Sequence, residues 1–132
     1  MTHDEAMALI EKVGLQGPTH GDLDGVRKLL EGRDDLVEAM NAADFRKVDE
    51  LPQHAAAHCK AGEILEYLLQ KGVKLDVFMA AGSGKVDDLK MLLDADPQLA
   101  TANGAHGISL ADHALNEATA AVIENARAGA KE

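Results

Sequence analysis

Two stretches of the chain share one internal spacing, and that spacing restricts what the chain can fold into. HAAAHCKAGEILEYLLQKG runs from His54 to Gly72, and FMAAGSGKVDDLKMLLDAD runs from Phe78 to Asp96. Ala56-Ala57 precedes Leu68-Leu69 by 12 residues, and Ala80-Ala81 precedes Leu92-Leu93 by the same 12. Each copy joins two short helical runs through a small polar break. A recurring unit of this kind cannot bury its apolar face alone, so neighbouring copies are expected to stack and share one core.

Composition supports helices. Apolar residues make up 46% of the 132-residue chain but aromatics only 2%, so the core must be built from Ala, Leu, Val, Ile and Met. Those residues suit helices, whereas sandwiches and barrels draw on aromatic and β-branched residues. The length fits one domain.

In chain order, Ala6, Leu9, Ile10 and Val13 share one face of a helix over 4–13, which Gly14 ends. GLQGPTHG, 14–21, is a loop, read either as plain surface or as a binding loop. Asp22 opens a second helix striped by Leu23, Val26, Leu29 and Leu30. Asp34-Asp35-Leu36 parallels Asp96-Pro97-Gln98-Leu99, and both read as a post-helix turn that tucks one Leu onto the core. Residues 37–50 form a long connection with room for a short helix around Ala42 to Val48. Helices are expected from Pro52 to about Lys60, over 62–71, over 77–82 behind an Asp76 cap, and over 85–94. Asn103-Gly104 is a turn pair. A last Ala-rich helix covers about 118–128, and the tail 129–132 is expected to fray.

Leu51-Pro52-Gln53-His54-Ala55-Ala56-Ala57 resembles the T-P-L-H-x-A-A opening of the ankyrin repeat. Ile64-Leu65, Leu68-Leu69 and Gly72 fall where that repeat carries its outer-helix apolar pair, double Leu and closing Gly. Gly107 to Leu115 resembles a degenerate opening of the same kind. Leu51 departs from the pattern by replacing the Thr hydroxyl. The resemblance implies an all-α, ankyrin-like helical repeat solenoid forming one domain over 1–132. It would hold about four helix-turn-helix units (about 4–36, 50–74, 75–101 and 107–128). The first and last are degenerate and the hairpins reduced, because the double-Leu pairs at 29-30, 68-69 and 92-93 lie 39 and then 24 residues apart.

The family resemblance also implies a function: a non-enzymatic module that binds a protein partner through its concave face and loop tips. Placed on this sequence, the expected contact residues are Phe45, Arg46, His58, Met79, Ser83, His106, Asp112 and Asn116. His54, in the position of the motif histidine, is expected to be a buried structural residue. Lys plus Arg total 13 against 23 Asp plus Glu, a net charge of −10. That balance disfavours nucleic acid and anionic membrane and favours a basic protein partner. With Cys59 as the sole cysteine, no intrachain disulfide can form, and no apolar run reaches the roughly 20 residues of a membrane span. A cytoplasmic location is the resulting expectation.

His54 and His58 stand four apart, a spacing that helical zinc sites use, with His113 or Asp112 as a conceivable third donor. A small metal- or ligand-binding protein, or an enzyme, with its pocket near His54, His58 and His113 is therefore the alternative. No Glu follows His54, so the HExxH signature is absent. AGSGK, 81–85, lacks both the leading Gly and the following Ser or Thr of a phosphate loop. Ser109, Asp112 and His113 sit too close in sequence to be positioned by different elements, as a catalytic triad is. The paired aspartates fall at helix starts, where capping explains them. No cofactor and no metal are implied by the favoured reading.

Overall fold

The computed structural model describes residues 1–130, and the last two positions of the expected frayed tail, Lys131 and Glu132, lie outside the described residues. The described chain is all-helical. Its α-helices are α1 His3–Val13, α2 Leu23–Leu30, α3 Asp34–Ala42, α4 Pro52–His58, α5 Gly62–Lys71, α6 Val77–Ser83, α7 Val86–Ala95 and α8 Glu117–Ala130. Short 3-10 turns lie at Pro18–His20, Phe45–Lys47, Pro97–Thr101, Ala105–Gly107 and Ala111–His113. Among the described residues there is no strand, only an isolated antiparallel bridge between Asn103 and Ser109. No described helix is long and apolar enough to cross a membrane.

Local chemistry accounts for the helix ends. The Thr2 hydroxyl accepts from Glu5 N at 3.1 Å while the Glu5 carboxylate accepts from Thr2 N at 3.1 Å, a reciprocal cap that starts α1. Asp22 caps α2 through Gly25 N, and Asp76 caps α6 through Met79 N. Pro52 occupies the first turn of α4, where its missing N–H costs nothing. Leu51 at its N-cap offers no side-chain bond, as its replacement of the usual Thr implied.

The two copies of the 12-residue spacing become α4–α5 and α6–α7. α4 and α6 have only seven residues each, too few to persist as isolated helices, so burial must hold them. Pro52 through Ala57 and Val77 through Gly82 are all buried. α4 lies against α6, and the 111–113 turn closes on both. Their backbones touch: a Cβ placed on Gly82 would sit 2.5 Å from the Ala57 carbonyl oxygen and 2.8 Å from its Cα. Leu68 is fully buried in an apolar cluster that runs from Ala6 to Ile123, and Leu92 packs against the same cluster. Both double-Leu pairs therefore face one core.

Three local expectations are corrected. Asp34-Asp35-Leu36 does not form a post-helix turn equivalent to 96–99; it opens α3, which packs on α1. The difference is chemical. Asp34 and Asp35 suit a helix N-terminus and good helix formers follow, whereas Pro97 confines the later segment to a 3-10 turn. The short helix expected around 42–48 is only the 3-10 turn Phe45–Lys47, because α3 has already used the residues up to Ala42. The tip of the 101–109 connection is His106-Gly107, with φ of 54° and 71°, and not Asn103-Gly104. Gly104 instead lies flat on Phe78, whose ring would come within 2.8 Å of a Cβ there.

The α4–α6 contact makes a direct test. Gly82→Ala forces two backbones apart and is expected to destabilise the protein by about 1–3 kcal/mol, the usual cost of overpacking. Gly62→Ala, with nothing within 4 Å of the new methyl, is expected to be neutral or stabilising. Urea unfolding of both variants beside the parent checks the contrast.

Candidate functional site

A file of rings crosses the molecule from the 45–47 turn to the 105–107 turn. Phe45 meets Phe78 edge-on, with centroids 5.1 Å apart, and Phe78 meets His113 at 5.0 Å. His113 lies 6.0 Å from His58, and His58 lies 6.3 Å from His106. Phe78 and His113 are fully buried, His58 is half-buried and His106 is exposed. The file thus joins residues from α4, α6 and three connecting segments, and it opens to solvent at its histidine end.

The buried histidines are held by acceptors. His54 is 1% exposed, and its Nε2 donates to Asp76 Oδ2, the same carboxylate that caps α6. A carboxylate only accepts, so Nε2 carries a proton toward Asp76, and the buried Nδ1 has no hydrogen-bond partner. His113 Nδ1 donates to the Ser109 carbonyl at 2.7 Å, which leaves its buried Nε2 as a lone pair without a partner. Burial is the main cause holding the His113 pKa below the ordinary imidazole value, with the Ser109 bond opposing it.

A second cluster forms at the exposed end, from residues that sequence spacing did not connect. His20, from the 14–21 loop, places Nε2 at 3.0 Å from Glu50 Oε1; His106 places Nε2 at 2.9 Å from Glu50 Oε2. The outer ring nitrogens are also engaged: His20 Nδ1 lies 2.6 Å from the Gln16 carbonyl, and His106 Nδ1 lies 2.6 Å from Asp49 Oδ2. His106 N further donates to the Asp49 carbonyl at 2.7 Å. Glu50 is 8% exposed. The hydrogen bond to Asp49, and then the Glu50 charge, raise the His106 pKa. Partial burial, and next the Glu50 charge, push the neighbouring Cys59 thiol up and so disfavour its reactive thiolate.

The expected contact residues divide accordingly. Phe45, Arg46, His58 and His106 gather along the ring file, with the Arg46 guanidinium 4.6 Å above the Phe45 ring. Asp112 and Asn116 are exposed, and Asn116 also exchanges hydrogen bonds with Thr119 at the start of α8. Ser83 is half-buried, and its hydroxyl donates to the Met79 carbonyl at 2.7 Å. Met79 requires correction: its side chain is completely buried, so it cannot meet a partner. Its neighbours Ala80 and Ala81 are also buried, because α6 is covered on all sides and not along one stripe. His54, His58 and His113 do not converge as ligands; among the described residues, the trio whose donor atoms all lie within 4.8 Å of one another is His20, Glu50 and His106. Composition could flag each residue of that trio, but no periodicity links positions 20, 50 and 106.

No protein-family model matches the chain, and neither a curated protein nor a solved structure does.

The pH dependence of stability follows from the sign of the His113 shift. Its folded pKa lies below the unfolded value of about 6.5, so the unfolded chain binds the extra proton first. The stabilisation is complete above that unfolded value and is lost as pH falls toward and through the folded one. The urea midpoint is expected to drop on acidification below about pH 6.5. The slope is expected to be shallower in His113→Gln, which carries no titrating ring.

Proposed function

We propose that the chain is a non-enzymatic, ankyrin-like interaction module that binds a basic protein partner. The observation that carries this reading is the α4–α6 apposition. Two helix pairs of equal internal spacing place their inner helices backbone to backbone, with Gly82 against Ala57. Such contact favours a rigid presenting surface, and rigid surfaces lose little freedom on binding. The motif histidine, His54, ties one unit to the next through Asp76, as the ankyrin resemblance implies. On this reading the recognition surface comprises Phe45, Arg46, His58 and His106, continued by Ser83, Asp112 and Asn116. The net charge of −10 favours a basic partner and makes its association sensitive to salt.

The local geometry around Ser109 agrees with a non-enzymatic role for that segment. His113 bonds to the Ser109 carbonyl and not to its hydroxyl, and that hydroxyl accepts from Asp112 N at 3.3 Å. No proton relay runs through the three residues.

Capture from lysate on the immobilised full chain tests the proposal at low and high salt. A protein retained at low salt and released at high salt is expected. Its recovery should fall at least about tenfold for a Phe45→Ala, Arg46→Ala, His58→Ala triple variant. Lys28→Ala, on the exposed side of α2, should leave recovery unchanged. Equal recovery by parent and triple variant, or none at either salt, overturns the reading.

A further inference from the structure

We propose that His20, Glu50 and His106 form a binding site for a divalent first-row transition-metal ion, with zinc the best match to the donor set. Two imidazole nitrogens and one carboxylate oxygen are a combination that zinc accepts readily, and three protein ligands leave one position of a tetrahedral ion open. The inference goes beyond the interaction module and does not depend on it.

The orientation of the rings is the first argument. The Gln16 carbonyl and the Asp49 carboxylate can only accept, so each histidine carries its proton on Nδ1. In the neutral ring Nε2 is then a lone pair, and both Nε2 atoms face one carboxylate, at 3.0 and 2.9 Å. Lone pairs and a carboxylate gathered this closely need a positive charge among them, which either a proton on His106 Nε2 or a metal ion in its place supplies. An outer nitrogen bonded to a carbonyl or a carboxylate is also the arrangement that orients metal-ligating histidines.

Glu50 supplies the second, independent argument. It is 8% exposed, yet its buried Oε2 accepts no hydrogen bond, although His106 Nε2 lies only 2.9 Å away. The contact is close without the direction of an N–H···O bond. Among the described residues its ion-pair partners are the two histidines, and no Lys or Arg reaches it. A carboxylate removed from water without a donor is unfavourable, and a cation resolves it.

The backbone supplies the third. The three residues come from separate connecting segments that other contacts already tie together: the Gln16 side chain donates to the Glu50 carbonyl at 2.7 Å, and His106 N to the Asp49 carbonyl at 2.7 Å. His106 is held at φ 54°, in the left-handed region that non-glycine residues seldom adopt. All three donor atoms lie within 4.8 Å of one another, so closing on an ion by small side-chain movements would bring them to the roughly 3.3 Å that separates ligands around tetrahedral zinc at bond lengths of about 2.0–2.1 Å. A surface hollow of about 410 Å³, lined in part by Glu50, His106 and Gln16, leaves room for water or a small anionic ligand at the open position.

Untagged full-length protein, stripped with chelator and then titrated with zinc chloride alone, tests the site. One ion per chain and a rise in thermal midpoint are expected. His20→Ala, His106→Ala and Glu50→Gln should each weaken binding at least about 100-fold, and Asp49→Ala, which removes only the outer side-chain partner of His106, by about 10-fold. His58→Ala should bind as the parent does. Circular dichroism of each stripped variant, matching the parent, separates loss of ligand from loss of fold. Cobalt substituted for zinc should give visible absorption of tetrahedral intensity that His106→Ala abolishes. The proposal fails if the stripped parent binds no zinc, since the cluster is then a proton-held ion pair. It fails equally if binding survives both histidine substitutions, or if it is lost with His58→Ala while His20→Ala retains it.

Discussion

The close passage of α4 across α6 is the constraint on which the remaining structure depends. Both helices are short, and neither carries a long side chain at the crossing, where Ala57 meets Gly82. Small residues let the backbones approach, and the approach buries every residue from Pro52 to Ala57 and from Val77 to Gly82. The larger side chains of α5 and α7, Leu65, Leu68, Leu89 and Leu93, then close the core from the outer side. The hydrophobic stabilisation is thus distributed: tight backbone contact in the inner row, side-chain volume in the outer helices.

Polar groups fix the register of that packing. Asp76 serves two helices at once, capping α6 and accepting from His54 on α4. A slide of one helix along the other would break the His54–Asp76 bond and leave the buried His54 ring unpaired, which costs more than the bond itself contributes. Gln53 acts similarly toward α3 by donating to the Met40 carbonyl at 2.9 Å. The loops inherit this order. Because α4 is fixed, Glu50 just ahead of it is fixed, and the 14–21 and 101–107 loops converge on Glu50 from opposite ends of the chain.

Helices α4 to α7 were legible because two signals coincided: the repeated 12-residue spacing, and the capping residues Asp76 and Pro52. The buried role of His54 was legible from its place in the ankyrin-like opening, and the bond to Asp76 supplies its physical content. α3 was not legible as a helix, since Asp34-Asp35-Leu36 matched a later segment in pattern while differing from it by one proline. The family resemblance put Met79 at an exposed inner-helix contact position, whereas α6 is enclosed by α4, α7 and the 111–113 turn. The cluster of His20, Glu50 and His106 could not be read at all. Its members belong to no shared period, and only the folded path of the chain brings them within reach of one another.

The two spaced copies are expected to unfold as one body because α4 and α6 touch. Native-state hydrogen exchange tests it most directly. Amides of Ala55 to His58 and of Ala80 to Ser83 are bonded within α4 and α6. If the copies unfold together, both sets exchange only through the same cooperative opening, with free energies that agree within about 1 kcal/mol and rise together with conditions that stabilise the whole protein. Exchange of the α6 amides through a separate opening of much lower free energy, with α4 still protected, would contradict it.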